Sequence, residues 1–94
     1  MPCLIAQAPN RDHELNRRLT SIGPHRANHV VLTGDTQADT YAQIHLDKGR
    51  YVISVLSRKV ELTINGRRTK KQVLEHGDQL CLEGHRLEFN LWRS

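Results

Sequence analysis

Three groups of side chains in this chain have types and spacings that invite chemistry. His25 and His29 stand in an H-x-x-x-H spacing, which on a helix would put two imidazoles on one face for a metal. Pro24 and the strand pattern that begins at His29 make the segment a loop entering a strand, so the spacing loses that meaning and no metal is expected. The second group is basic. Six of the fourteen Lys and Arg lie between Arg58 and Lys71, with Arg67, Arg68, Lys70 and Lys71 in one run. Four such charges suffice for weak, salt-sensitive attachment to an acidic protein, a nucleic acid or an anionic membrane face. No aromatic residue is interleaved with them, so stacking on bases has no platform and nucleic acid is an unlikely partner. The third group is the turn Gly77-Asp78, where an Asx side chain bracing its own backbone is the ordinary reading. No nucleophile elbow, P-loop or Ser-His-Asp pattern occurs; catalysis and cofactors are not expected.

The elements that must carry these groups are strands. Apolar and polar residues alternate in short runs broken by Gly, Asn and Asp, about ten residues apart, which predicts an all-β sandwich of two antiparallel sheets with nine to eleven short strands. Cys3 to Gln7 reads as an opening strand and Ala8 to Asp12 as a turn; residues 14–21 read as one strand and His29 to Thr33 as another. Ala42, Ile44 and Leu46 form an apolar row facing the core, against Tyr41, Gln43 and His45. Asp47 to Arg50 has the composition of a hairpin turn before a strand at Tyr51 to Leu56, and Asn65-Gly66 suits a type I′ turn after Val60, Leu62 and Ile64. A turn at Glu83-Gly84 separates Leu80 and Leu82 from Leu87, Phe89 and Leu91, whose opposite face holds Arg86, Glu88, Asn90 and Trp92. Phe89 and Tyr51 are the expected bulky core anchors.

Ninety-four residues make a single domain over 1–94 with one core. No apolar run approaches a membrane span, and the start, Met1-Pro2-Cys3-Leu4-Ile5, lacks the basic and long apolar regions of a secretion signal. A cytoplasmic setting is expected, with any membrane link made through a larger parent chain or assembly. Cys3 and Cys81 lack metal or scaffold spacing, and Cys81 is expected to be a reduced, semi-buried packing residue rather than half of a Cys3–Cys81 bridge. The net charge of +4 favours acidic partners without naming one.

Over residues 15–92 the punctuation resembles the forkhead-associated (FHA) domain family. Ile22-Gly23, Asn28, Val31-Leu32, Ala42-x-Ile44, Gly49-x-Tyr51-x-Ile53, Leu56, Ile64-Asn65-Gly66 and Leu74-x-x-Gly77-Asp78 fall in the family's order and spacing. The resemblance implies an FHA-like sandwich that recognises phosphothreonine through loops at one end. At those loops the chain departs from the family pattern. Pro24 stands in place of the arginine after Ile-Gly; Ala38 and Asp39 replace the Ser-Arg pair; Tyr41 replaces the bracing histidine. The serine, asparagine, glycine and threonine of the last recognition loop align with Arg58, Val60, Glu61 and Leu62. A phosphate with nearly two charges needs charge-assisted donors, so these departures predict a non-enzymatic, phosphate-independent docking or assembly domain. The family's use in bacterial signalling or secretion assemblies suggests a setting for it. The alternative is a displaced anion site built from His25, Arg26, Arg58 and Lys59. The basic run Arg67, Arg68, Lys70 and Lys71, together with Trp92, makes up the remaining interface candidates, for a protein partner that is acidic or a second copy.

Overall fold

A computed structural model describes residues 3–7, 11–15, 17–32 and 40–91. The strands are β1 (Cys3–Gln7), β2 (Arg11–Leu15), β3 (Leu19–Gly23), β4 (Val30–Val31), β5 (Ala42–Asp47), β6 (Arg50–Val55), β7 (Leu62–Ile64), β8 (Arg67–Arg68), β9 (Lys71–Val73), β10 (Asp78–Leu82) and β11 (His85–Leu91). They form a six-stranded sheet in the order β2-β1-β11-β10-β7-β8 and a five-stranded sheet in the order β4-β3-β5-β6-β9. No helix occurs among the described residues, and the all-β sandwich stands as the sequence predicts. One pair breaks the antiparallel rule, since β4 runs parallel to β3 with Ile22 opposite Val30.

Alternation explains why these two layers hold together. Ile5, Leu15, Ile22, Ile44, Ile53, Leu62, Leu80, Leu82, Leu87 and Phe89 are all buried in one cluster, so each sheet gives the other an apolar face and removes about 1.5–3 kcal/mol worth of side chain from water per residue. Three two-residue hairpins set the register: Lys48-Gly49, Asn65-Gly66 and Glu83-Gly84 each have both residues at positive φ, joining Asp47 to Arg50, Ile64 to Arg67 and Leu82 to His85. The type I′ geometry matches strand twist, and the second position takes glycine because a Cβ there is strained.

Several expectations need correction. Residues 14–21 are two strands, separated by a bend at Arg17 and Arg18; β2 lies in one sheet and β3 in the other. The chain crosses between layers here, which a run of alternating residues cannot signal. Arg11 and Asp12 belong to β2, with Arg11 paired to Gln7, and not to a turn. Strand pairing after His29 is confined to Val30–Val31, and Thr33 lies outside the described residues. Tyr41 faces inward with no exposed surface, whereas Leu46, assigned to the core row, is 40% exposed. Tyr41 precedes the ladder of β5, so the strand's alternation does not govern it, and Leu46 lies at the end of β5 beside the Lys48-Gly49 turn. Tyr51 is half-buried, packs against the core, and meets Phe89 with ring centroids 5.9 Å apart. The Tyr51 hydroxyl donates to the Leu15 carbonyl at 3.0 Å and ties the crossing segment down.

Candidate loop-end interface

Backbone hydrogen bonds beyond the ladders gather the ends of five strands, β3, β4, β5, β6 and β9. The Tyr41 N–H donates to the Ile22 carbonyl at 2.7 Å, the Leu56 N–H to the Tyr41 carbonyl at 3.0 Å, and the Leu32 N–H to the Gly23 carbonyl at 2.9 Å. The Val55 N–H reaches the Lys70 carbonyl at 2.8 Å. Loops 24–29, 56–61 and 69–70 therefore open from one end of the sandwich, called the apical end below.

Loop 24–29 is held by its own side chains. The Ala27 N–H donates to His25 Nδ1 at 3.0 Å; Asn28 donates to the His25 carbonyl through its backbone N–H at 3.0 Å and through Nδ2 at 2.9 Å. Asn28 Oδ1 accepts from the Thr40 hydroxyl at 3.0 Å, which clamps this loop to the chain entering β5. At the loop's other end the Ser21 N–H donates to His29 Nδ1 at 3.0 Å, and the His29 N–H donates to Ser21 Oγ at 3.2 Å. A ring nitrogen that accepts carries no hydrogen, so in the neutral rings the proton sits on Nε2. Each imidazole thus has its Nδ1 committed to the backbone, and the two rings serve the loop. Among the described residues no three His, Cys, Asp or Glu groups converge as a metal site.

Of the four predicted anion-site residues, His25 and Arg26 sit exposed in loop 24–29, and Arg58 and Lys59 sit exposed in the turn of loop 56–61. That turn is closed by Ser57, whose carbonyl accepts from the Val60 N–H at 3.2 Å and whose hydroxyl accepts from the Lys59 N–H at 3.3 Å. The topology brings both loops to the apical end, and His25 contributes a neutral Nε2–H there when its ring is uncharged. Pro24 is half-buried and has no side-chain donor. Val60 and Leu62 are buried, so both side chains belong to the core. Ala38, Asp39 and Trp92 lie outside the described residues.

The basic run does not act as a unit. Arg67 flanks the Asn65-Gly66 turn at the opposite end, and Arg68 pairs with Glu61 at 3.0 Å on the surface. Lys70 reaches the apical end through its carbonyl bond to Val55, and Lys71 lies on β9 opposite Ser54. Sequence reasoning therefore separated Lys70 from Arg58 and Lys59, which share its end, and joined it to Arg67, which does not. It also missed the Asn28–Thr40 clamp; Asn28 was visible as a matched family position, but nothing in the sequence ties it to Thr40. Two acids of this end, Glu61 and Glu83, are engaged: Glu83 Oε1 accepts from the Glu61 N–H at 2.9 Å, and the Glu61 carboxylate holds Arg68. Cys81 is a free, half-buried thiol on the six-stranded sheet, as the strand phase predicts.

No curated protein sequence matches this chain. Among solved structures it superposes on an FHA domain studied for phosphothreonine-dependent interactions with a TM-score of 0.87 at 15% identity, covering 100% of both chains. Mycobacterium tuberculosis EmbR, solved with a low-affinity phosphopeptide, gives 0.88 at 23% identity over 99% of this chain and 25% of that one. The yeast Dun1 FHA domain, solved with a doubly phosphorylated peptide from Rad53, gives 0.73 at 22% identity over 95% of this chain and 73% of that one. At such identities these likenesses establish the fold. The family model of the FHA domain matches residues 20–83, which is more than half of the chain and includes loops 24–29, 56–61 and 69–70. The chain belongs to the FHA domain family, whose members are non-catalytic protein-interaction modules that typically bind phosphothreonine peptides.

Proposed function

We propose that this domain docks a phosphothreonine-containing segment of a protein partner at the apical end, weakly, through a cation set displaced from the family's own. Arg26, Arg58, Lys59 and Lys70 surround the phosphate in this reading, and His25 Nε2–H adds a neutral donor. The observation that carries it is the convergence of loops 24–29, 56–61 and 69–70 on the Ile22–Tyr41–Leu56 hydrogen bonds, which brings four exposed cations to one end while Glu61 and Glu83 there are engaged with the protein itself. A phosphate with three acceptor oxygens suits such a group. Pro24 removes the arginine that would grip it bidentately, and one lost charge-assisted bond of about 1.5–3 kcal/mol leaves a dissociation constant on the order of 100 μM or weaker. The family's habit of binding phosphothreonine and the phosphopeptide complexes of structural relatives support the same reading.

Titration calorimetry at low salt with a phosphothreonine peptide and its unphosphorylated twin tests the proposal. Binding of the phosphorylated form alone, weakened by salt and lost in Arg58→Ala/Lys59→Ala, is expected. No heat at millimolar peptide, or equal affinity for both forms, overturns it. Equal affinity for the two forms would establish the second reading, phosphate-independent docking in a cytoplasmic signalling or secretion assembly, which the side chain of Pro24 favours. Nucleic acid fits less well than either. The four cations of the basic run fall at different places on the fold, so no continuous ribbon tracks a phosphate backbone.

A further inference from the structure

On the five-stranded sheet Leu19 pairs with His45, His45 with Val52, and Val52 with Val73. Residues directly opposite one another share a face, so these four form one row across β3, β5, β6 and β9. Their sequence neighbours Thr20, Ile44 and Ile53 are buried, which turns the row outward, away from the six-stranded sheet. Leu19 and Val73 are 44% and 40% exposed, while Val52 is only 6% exposed although it lies outside the core cluster. At the centre His45 Nδ1 is buried with no hydrogen-bond partner among the described residues, a cost that a native surface ordinarily does not carry. The charged positions within two residues of the row are Arg17, Arg18, Arg50 and Lys71 against Asp47 and Glu75, all exposed, and none of them pairs ionically with another described residue.

We propose that this row docks an acidic amphipathic helix from a protein partner, independently of the apical site. Three strand spacings of about 4.8 Å carry Leu19 to Val73, so two to three helical turns of about 5.4 Å span the row with apolar residues at i, i+4 and i+7. Carboxylates flanking those positions meet the cationic border. A second copy is disfavoured, because it would set the basic border against itself.

The test uses a synthetic helix of about three turns, with leucine at i, i+4 and i+7 and glutamate beside them, and a control with lysine for every glutamate. Amide resonances of Leu19, His45, Val52 and Val73 should move on addition of the acidic helix, with the lysine form at least tenfold weaker. Leu19→Glu/Val73→Glu changes two exposed positions and should weaken the response at least tenfold, with melting temperature and apical phosphopeptide binding unchanged. Arg58→Ala should leave the row's response intact, so failure here is distinguishable from failure of the apical reading. A silent row at millimolar acidic helix, or equal binding of the lysine form, overturns the proposal. Sedimentation of the wild type as a dimer that Val73→Glu dissociates also overturns it, by assigning the row to a second copy.

Discussion

The two ends of this sandwich spend their polar side chains differently. At the end formed by Asn65, Gly66, Gly77 and Asp78, side chains bind the protein's own turns. Asn65 Nδ2 donates to Asp78 Oδ1 at 3.0 Å, the Gln79 N–H donates to Asn65 Oδ1 at 2.9 Å, and the Glu75 N–H donates to Asp78 Oδ2 at 2.8 Å. Asp78 is nearly buried, and each of its carboxylate oxygens accepts a hydrogen bond. At the apical end the bonds fix loop shape, and the charged groups Arg26, Arg58, Lys59 and Lys70 point to water. These are separate chemical roles. The Asn65-Gly66 and Gly77-Asp78 positions are those on which the turns depend, whereas the exposed cations of the apical end carry no such structural bond among the described residues.

The largest effect expected tests what lies between the ends. Phe89→Ala should lower stability by about 3–5 kcal/mol, read by chemical denaturation, because the ring is buried against Tyr51. Asp78→Ala should cost about 3 kcal/mol, since it strands the Glu75 N–H and the Asn65 amide together. A loss below about 0.5 kcal/mol would erase the contrast between the ends. Pro24→Arg, which adds a bidentate donor beside the proposed site, should tighten phosphothreonine-peptide binding about tenfold, equal to about 1.4 kcal/mol. Unchanged affinity would mean that the apical loops cannot present a phosphate to that position. Asn28→Ala should cost about 1 kcal/mol and broaden the amide resonances of residues 24–29 by unclamping the loop from Thr40. Arg26→Ala/Arg58→Ala should shift stability by less than about 0.5 kcal/mol while reducing phosphopeptide affinity; a large loss of stability would class these arginines with Asp78.

The fold was legible because its signals are local. Asn65-Gly66 predicts a turn whose residues both take positive φ, and the Gly77-Asp78 brace follows from what an Asx side chain does two or three residues from its own backbone. Tyr41 defeats this kind of reading. It sits between Thr40 and Ala42 in what looks like an alternating run, yet it is fully buried, because the packing of the strand end decides its direction. The proposed apical site was half legible. That His25, Arg26, Arg58 and Lys59 share one end was read from the resemblance, whereas the arrival of Lys70 beside Leu56 depends on how β9 pairs with β6.

By itself the sequence determined that the chain forms short strands, where its hairpins turn, which aliphatic faces must meet, and that an arginine is absent at Pro24. Only the tertiary structure decided that residues 14–21 cross between sheets, that the basic run is divided among three places, and that Leu19, His45, Val52 and Val73 align on one outer face. The reason is physical: an alternation of period two assigns a side chain to a face, but its neighbours across the sheet are chosen by pairings between segments far apart in the chain.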